Sequence, residues 1–191
     1  MPPDATSRNP RHTELLLDIS QEISDKDSLD EVLFCLLEIT TMESNAERGT
    51  LFLYDDTTHE LFSRIAMGNL TEEIRIAPDT GIAGHVFSTG ESLIIDDAYD
   101  DERFNKEIDA NTGFTTRNIL CVPIQTLEGD IIGVAQMLNK QGGPFSKTDQ
   151  THLENMTMKV AHELTTAYYI EKTQPFFLKK LKELWHALFG A

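Results

Sequence analysis

Positive charge is scarce in this chain. Sixteen Lys and Arg stand against 32 Asp and Glu, a formal net charge of −16. Such a surface repels phosphate backbones and anionic lipid, which excludes broad nucleic-acid binding. Cysteine is scarcer still. Cys35 and Cys121 lie far apart, each inside an apolar run, and this suits reduced core thiols in a reducing compartment rather than a disulfide framework. No apolar run approaches the ~18–20 residues needed to span a bilayer. The opening stretch holds Pro2, Pro3 and Pro10 but lacks the apolar core of an export signal, so a cytoplasmic location is expected. The apparatus of catalysis is lacking too: no phosphate-binding glycine loop with its lysine, no G-x-S-x-G, no H-E-x-x-H and no C-x-x-C. His12, His59, His85, His152, His162 and His186 show no close ligand spacing. Neither an enzyme, a cofactor nor a metal is expected.

What is present is enough for one domain with a substantial core and an appended helix: 191 residues, 40% of them hydrophobic. Residues 1–12 read as a disordered start. From Thr13, Leu15, Leu16, Ile19 and Ile23 recur at helical spacing. Ser28 with Glu31 forms a capping-box pattern, and Leu29, Val32, Leu33, Leu36, Leu37 and Thr40 then make one apolar face of a second helix ending near Met42. Thr50 to Tyr54 and Glu60 to Ala66 read as a hairpin around Asp55 to His59, with Glu72 to Ile76 as a short third strand. Gly81 to Thr89 reads as a short helix capped by Thr80 and stopped by Gly90, and Leu93 to Ile95 as a brief strand.

Residues Asp96 to Thr116 are rich in acids and poor in apolar side chains, so they are expected to form a long loop of the kind that serves as a lid or binding loop. Their acids lack the alternating spacing and central glycine of a calcium loop. Asn118 to Thr126 and Asp130 to Leu138 flank Leu127-Glu128-Gly129, a second hairpin and the expected sheet centre. Ser146 with Asp149 starts a long closing helix whose face is Leu153, Met156, Val160, Leu164, Ala167 and Tyr168. The order predicts an α+β domain: a mainly antiparallel six-stranded sheet flanked by N- and C-terminal helices.

Gly81-Ile82-Ala83-Gly84 opening a helix offers unpaired backbone N–H groups at the positive end of a dipole, which can hold an anion where no arginine is at hand. Alone, such glycines more often allow close packing. Their neighbours decide otherwise. The run Gly81 to Val86, then Asp96-Asp97-Ala98-Tyr99, then Thr112-Gly113-Phe114-Thr115-Thr116-Arg117-Asn118 leading into Ile119 to Ile124, then Gly133 to Lys140, resembles a GAF domain, a PAS-like fold. The likeness is greatest to the subgroup of cyclic-nucleotide phosphodiesterases and cyanobacterial adenylyl cyclases; it covers roughly Leu15 to Tyr169, within a domain expected over residues 13–172 with its leading and closing helices. That subgroup's signature reads here Asn139, Lys140, Phe145, Asp149 and Gln150, the last being a departure; in the family the lysine and aspartate form a structural ion pair outside the ligand cavity.

The resemblance implies a cyclic nucleotide, cAMP or cGMP, between the sheet and the acidic lid. It implies the phosphate on the backbone of Ile82 and Ala83, the base facing Thr50 with Phe52 in the wall, and polar contacts from Asp109, Thr112 and Thr116. Gln136 stands where some members carry glutamate, and an amide both donates and accepts, so base preference is left open. A ligand-free dimerisation module and a sensor of another small molecule are the alternatives. A bilin pigment is disfavoured because both cysteines lie in apolar runs; haem would need His85. Ala161-His162-Glu163-Leu164-Thr165 is similar to the phosphoacceptor helix of sensor histidine kinases, but it lies on a helix that the core needs.

Beyond Pro175, Phe177, Leu178, Leu181, Leu184, Trp185 and Leu188 line one face, with Lys179, Lys180 and Lys182 away from it. Residues 173–191 are expected to be an amphipathic linker or homodimer helix joining an effector domain absent from this chain; membrane contact by the tail is the lesser reading.

Overall fold

The computed structural model describes residues 29–67 and 73–166. The leading helix expected from Thr13, the cap at Ser28 and the amphipathic tail lie outside those residues.

Helix α1 (Leu29–Glu43) turns Leu33, Leu36 and Leu37 inward. Thr40 and Thr41 near its end donate their hydroxyls back to the carbonyls of Leu36 and Leu37, at 2.8 and 2.7 Å. Strands β1 (Arg48–Asp55) and β2 (Glu60–Ala66) follow as an antiparallel pair. The Asp55 carboxylate accepts from the amides of Thr57 and Thr58 and so shapes their turn. Strand β3 (Arg75–Ile76), helix α2 (Gly81–Thr89), strand β4 (Leu93–Ile95), helix α3 (Lys106–Thr112) and strands β5 (Ile119–Gln125) and β6 (Ile131–Leu138) complete the order. Helix α4, residues 147–166, closes the described chain.

The six strands run in the order β3-β2-β1-β6-β5-β4, and each neighbouring pair is antiparallel. Strands β1 and β6 are therefore central, with β5 one place out, so the second hairpin supplies only half of the centre expected for it. Side chains alternate across the pleat. Leu51, Leu120, Val122, Ile124, Ala135 and Met137 join Leu33 and Leu37 of α1 and Leu153, Met156 and Val160 of α4 in one buried cluster. Phe52, Ile119, Cys121 and Val134 meet Ile82, Ala83 and Val86 of α2 in a second cluster on the other face. Gly133 lets β1 and β6 approach: a Cβ there would lie 2.1 Å from the Phe52 carbonyl oxygen. Among the described residues, no helix is long and apolar enough to cross a membrane.

Two local expectations are corrected. The acidic stretch is not all loop, because α3 lies within it. Asn105 caps that helix by accepting from the Glu107 amide at 3.0 Å, and Gly113 ends it at a φ of 66°. The sparse apolar pattern concealed a helix of only two turns. Thr80 does occupy the N-cap position of α2, but its hydroxyl turns to Asp79 and leaves the helix amides uncapped; Gly90 ends α2 in the left-handed conformation as expected.

Candidate functional site

Between the α2 face of the sheet and the 96–116 segment lies a hollow; the space within it, its open mouth included, is about 780 Å³. Only about 80 Å³ of it admits the centre of a water molecule, so the hollow is narrow as it stands. The floor comes from the sheet. Thr50 and Gln136 are direct partners across β1 and β6, and Phe52 lies two residues along the same face. Ile82 and Ala83 form one wall, and Asp109, Thr112 and Thr116 stand on the lid side. All eight residues expected to surround a ligand thus line one hollow.

The wall at α2 is polar through its backbone. The first intrahelical bond runs from the Gly84 amide to the Thr80 carbonyl at 3.1 Å, so the amides of Ile82 and Ala83 precede the helical ladder and have no partner within it. No acidic side chain occupies the first turn. Gly81 turns the chain into the helix at a φ of 72°, and a Cβ there would lie 3.8 Å from the Arg103 carbonyl oxygen, so the lid passes close over the helix start.

The lid residues are joined to one another. Asp109, only 5% exposed, accepts on Oδ1 from the Thr116 hydroxyl at 2.7 Å and on Oδ2 from the Thr116 amide at 2.6 Å. Oδ2 also accepts from the Tyr99 hydroxyl at 3.1 Å. A carboxylate offers about four acceptor positions, so these three bonds leave Asp109 roughly one for anything else. Thr112 donates its hydroxyl to the Ile108 carbonyl, one turn back. The acids on the lid's outer surface, Asp96, Asp97, Asp100 and Glu102, are exposed. Arg103 pairs with Asp101 at 2.7 Å, and that hydrogen bond holds the Asp101 carboxyl below its ordinary range.

The signature residues stand apart from the hollow. Lys140 and Asp149 form an ion pair, and Asp149 also accepts from the Ser146 amide and hydroxyl at 2.7 and 2.6 Å. Asn139 is fully buried at a φ of 59°. Its side chain accepts from the Arg117 amide and donates to the Thr115 carbonyl and to Glu47, which fixes the lid's exit to the end of β6. Glu47 also pairs with Arg117 at 2.7 Å, and bonds from Arg117 first and Asn139 second hold its carboxyl below the usual range. Phe145 is buried in the α1–α4 cluster, and Gln150 accepts from Lys147 and donates to Glu154.

Other residues line the hollow that the sequence pattern did not single out: Arg48, Ile76, Phe104, Ile108, Phe114 and Leu138. Arg48 has the same strand parity as Thr50 and Phe52, so the two-residue alternation along β1 is the signal that places it on their face. Its guanidinium lies 3.9 Å from the centroid of the Phe114 ring, a cation–π pair at the hollow's edge. The site therefore has a cationic side chain beside its backbone amides. His85 does not line the hollow. His162 is exposed on α4, while Val160 and Ala161 beside it are buried. Among the described residues, no group of three His, Cys, Asp or Glu is placed to hold a metal ion.

The same architecture occurs in solved proteins. The GAF domain of a phosphoenolpyruvate-protein phosphotransferase from Coxiella burnetii superposes with a TM-score of 0.74 at 18% identity, over 87% of this chain and 99% of that one. At the level of sequence, the probable 3′,5′-cyclic phosphodiesterase pde-5 of Caenorhabditis elegans is 40% identical over 152 residues, which is 73% of this chain and 21% of that protein. The dual 3′,5′-cyclic-AMP and -GMP phosphodiesterase 11 of Drosophila melanogaster is 35% identical over 178 residues, 84% of this chain and 12% of its own length. The chain thus spans about a fifth or less of these two relatives. A family model of the GAF domain matches residues 28–164. With that match, these two relatives and the six-stranded sheet in agreement, the chain belongs to the GAF domain family, a family of regulatory sensor modules.

Proposed function

We propose that this GAF domain binds a cyclic nucleotide, cAMP or cGMP, in the hollow beneath the 96–116 lid and relays lid closure through its terminal helices to an effector outside this chain. The observation carrying the proposal is that a space left unfilled by the protein's own side chains is lined by Thr50, Gln136, the α2 amides and the lid threonines together. The relatives' names, a cyclic phosphodiesterase and a dual cyclic-AMP and -GMP phosphodiesterase, support the same ligand class.

The chemistry is coherent. A cyclic phosphodiester carries one negative charge, which suits the uncapped start of α2. A helix N-terminus contributes about 0.3–2 kcal/mol, whereas micromolar affinity needs about 8 kcal/mol, so burial of the purine must supply most of the rest. The purine has Phe52 and Leu138 for apolar contact, with Thr50 and Gln136 offering donors and acceptors to its edge. The narrowness of the hollow means that the lid adjusts as the nucleotide enters. A signal arises because nucleotide stabilises the closed lid more than the open one. The clusters on the two faces of the sheet give the change a packed route towards α1 and α4.

Calorimetry with cAMP and cGMP, paired with thermal unfolding, tests this reading. Nucleotide at 100 times its dissociation constant should add about 2.7 kcal/mol and raise Tm by roughly 5–10 °C. No heat and no shift with either nucleotide at millimolar concentration would sink it.

A further inference from the structure

We infer that Tyr99, which lies outside the hollow, is a positioning residue for nucleotide binding: its hydroxyl holds Asp109, and through Asp109 the α3 lid, in the closed geometry. The inference deepens the cyclic-nucleotide reading and rests on it.

Tyr99 does not line the hollow and is 41% exposed, yet its hydroxyl reaches inward to the buried Asp109 carboxylate at 3.1 Å. The ring is held for that reach. Its backbone amide donates to Asp97 Oδ1 at 3.0 Å, and the fully buried Ala98 beside it donates to the Arg117 carbonyl at 2.7 Å. The ring tilts against Phe104 at a centroid distance of 5.3 Å, and Phe104 itself lines the hollow. Lys106 Nζ lies 5.2 Å over the ring. Tyr99 is thereby fixed to the chain just after β4, Asp109 rides on α3, and Thr116 leads into β5. One carboxylate ties the three together.

No lysine or arginine pairs with Asp109 among the described residues, so the donors that hold this buried side chain are neutral ones: the Thr116 amide, the Thr116 hydroxyl and Tyr99. Both Thr116 donors come from one side of the lid. Among the described residues Tyr99 is the sole donor to Asp109 from the β4 side, and losing its hydroxyl leaves the Asp109 carboxylate bonded to Thr116 only. Asp109 then acts on the nucleotide by placing Thr112 and Thr116 rather than by spending its own acceptors on the ligand.

Tyr99→Phe removes the hydroxyl and keeps the ring on Phe104. With fluorescent cAMP and cGMP analogues as probes, nucleotide release should quicken by up to about tenfold, the upper range for one hydrogen bond, while Tm of the free protein falls by no more than a few degrees. In the nucleotide-free protein, exchange of the Thr116 amide should quicken as well. Tyr54→Phe, which loses a hydroxyl bonded to His59 outside the hollow, should change neither. Combining Tyr99→Phe with Asp109→Ala should add nothing to Asp109→Ala alone. Unchanged release together with unchanged Thr116 exchange in Tyr99→Phe would overturn the inference. Wild-type protein that binds neither nucleotide would instead defeat the functional reading, and the exchange experiment would still decide the clasp.

Discussion

Asp149 joins an ion pair and a helix start in one side chain. Its Oδ2 accepts from Lys140, from the Ser146 amide and from the Ser146 hydroxyl. Burial acts to raise its carboxyl pKa, but the bonds from Lys140 and Ser146 outweigh that and hold it below the usual 3.8. The sign of the pH dependence follows. A depressed folded-state value contributes stability that is present above the unfolded value and is lost as pH falls through the folded one. Asp149→Asn should therefore cost about 1–3 kcal/mol at neutral pH, the range for charged hydrogen bonds and caps. In urea titrations the gap between variant and wild type should close as pH falls below ~3.8. A gap of the same size at pH 7 and at pH 3 would mean that the charge contributes nothing. The Ser146–Asp149 spacing made this helix start legible in the sequence. The residue-level facts that stayed hidden are those set by tertiary approach: the reach of Tyr99 to Asp109, and Asn139 in the left-handed conformation with both ends of its amide engaged.

At the scale of elements, α2 supplies the wall that a phosphate would meet, and one glycine sets its height. A Cβ on Gly84 would lie 2.8 Å from the Asp79 carbonyl carbon and 3.1 Å from both the Asp79 nitrogen and the Pro78 carbonyl carbon. These are backbone atoms, which cannot rotate away. Gly84→Ala should displace the helix start from the 78–79 turn at about 1–3 kcal/mol, the range for overpacking. For a domain of this size that is a Tm loss of roughly 3–10 °C. Nucleotide affinity should fall by more than the stability loss explains, because the displaced amides are those of Ile82 and Ala83. Paired thermal unfolding and calorimetry would separate the two, and an unchanged dissociation constant would remove α2 from the site. Strong periodicity or terminal glycines exposed β1, β2, β5, β6, α1 and α2 in the sequence. Helix α3 has neither length nor an apolar stripe, only Asn105 and Gly113 as punctuation, and so it read as loop. With α3 unrecognised, Ile108, one turn before Thr112, could not be placed at the hollow.

For the whole molecule, the charge balance and the site pull in opposite directions. A protein of net charge −16 would repel an approaching nucleotide anion at long range, while on the proposed reading the α2 amides and Arg48 would attract it only at short range. Salt screens the first over a Debye length of about 8–10 Å near physiological strength and acts much less on a buried phosphate. Raising sodium chloride from about 0.05 to 0.5 M should therefore speed association slightly and change the dissociation constant by less than about threefold. A site built on clustered lysines and arginines would weaken severalfold or more over the same range. Stopped-flow association at several salt concentrations reads the sign directly, and a steep fall in rate would place the phosphate on exposed basic side chains rather than on α2. The net charge was plain in the sequence and argued against a nucleic acid; the glycine-led helix was plain too, but on its own it pointed to close packing, and only the resemblance of its neighbours to GAF domains turned it toward a small ligand. Arg48 was not used there because its place over Phe114 depends on β1 meeting the lid. Replacing it with alanine should accordingly weaken binding while leaving the small salt dependence in place, since the backbone amides of α2 remain.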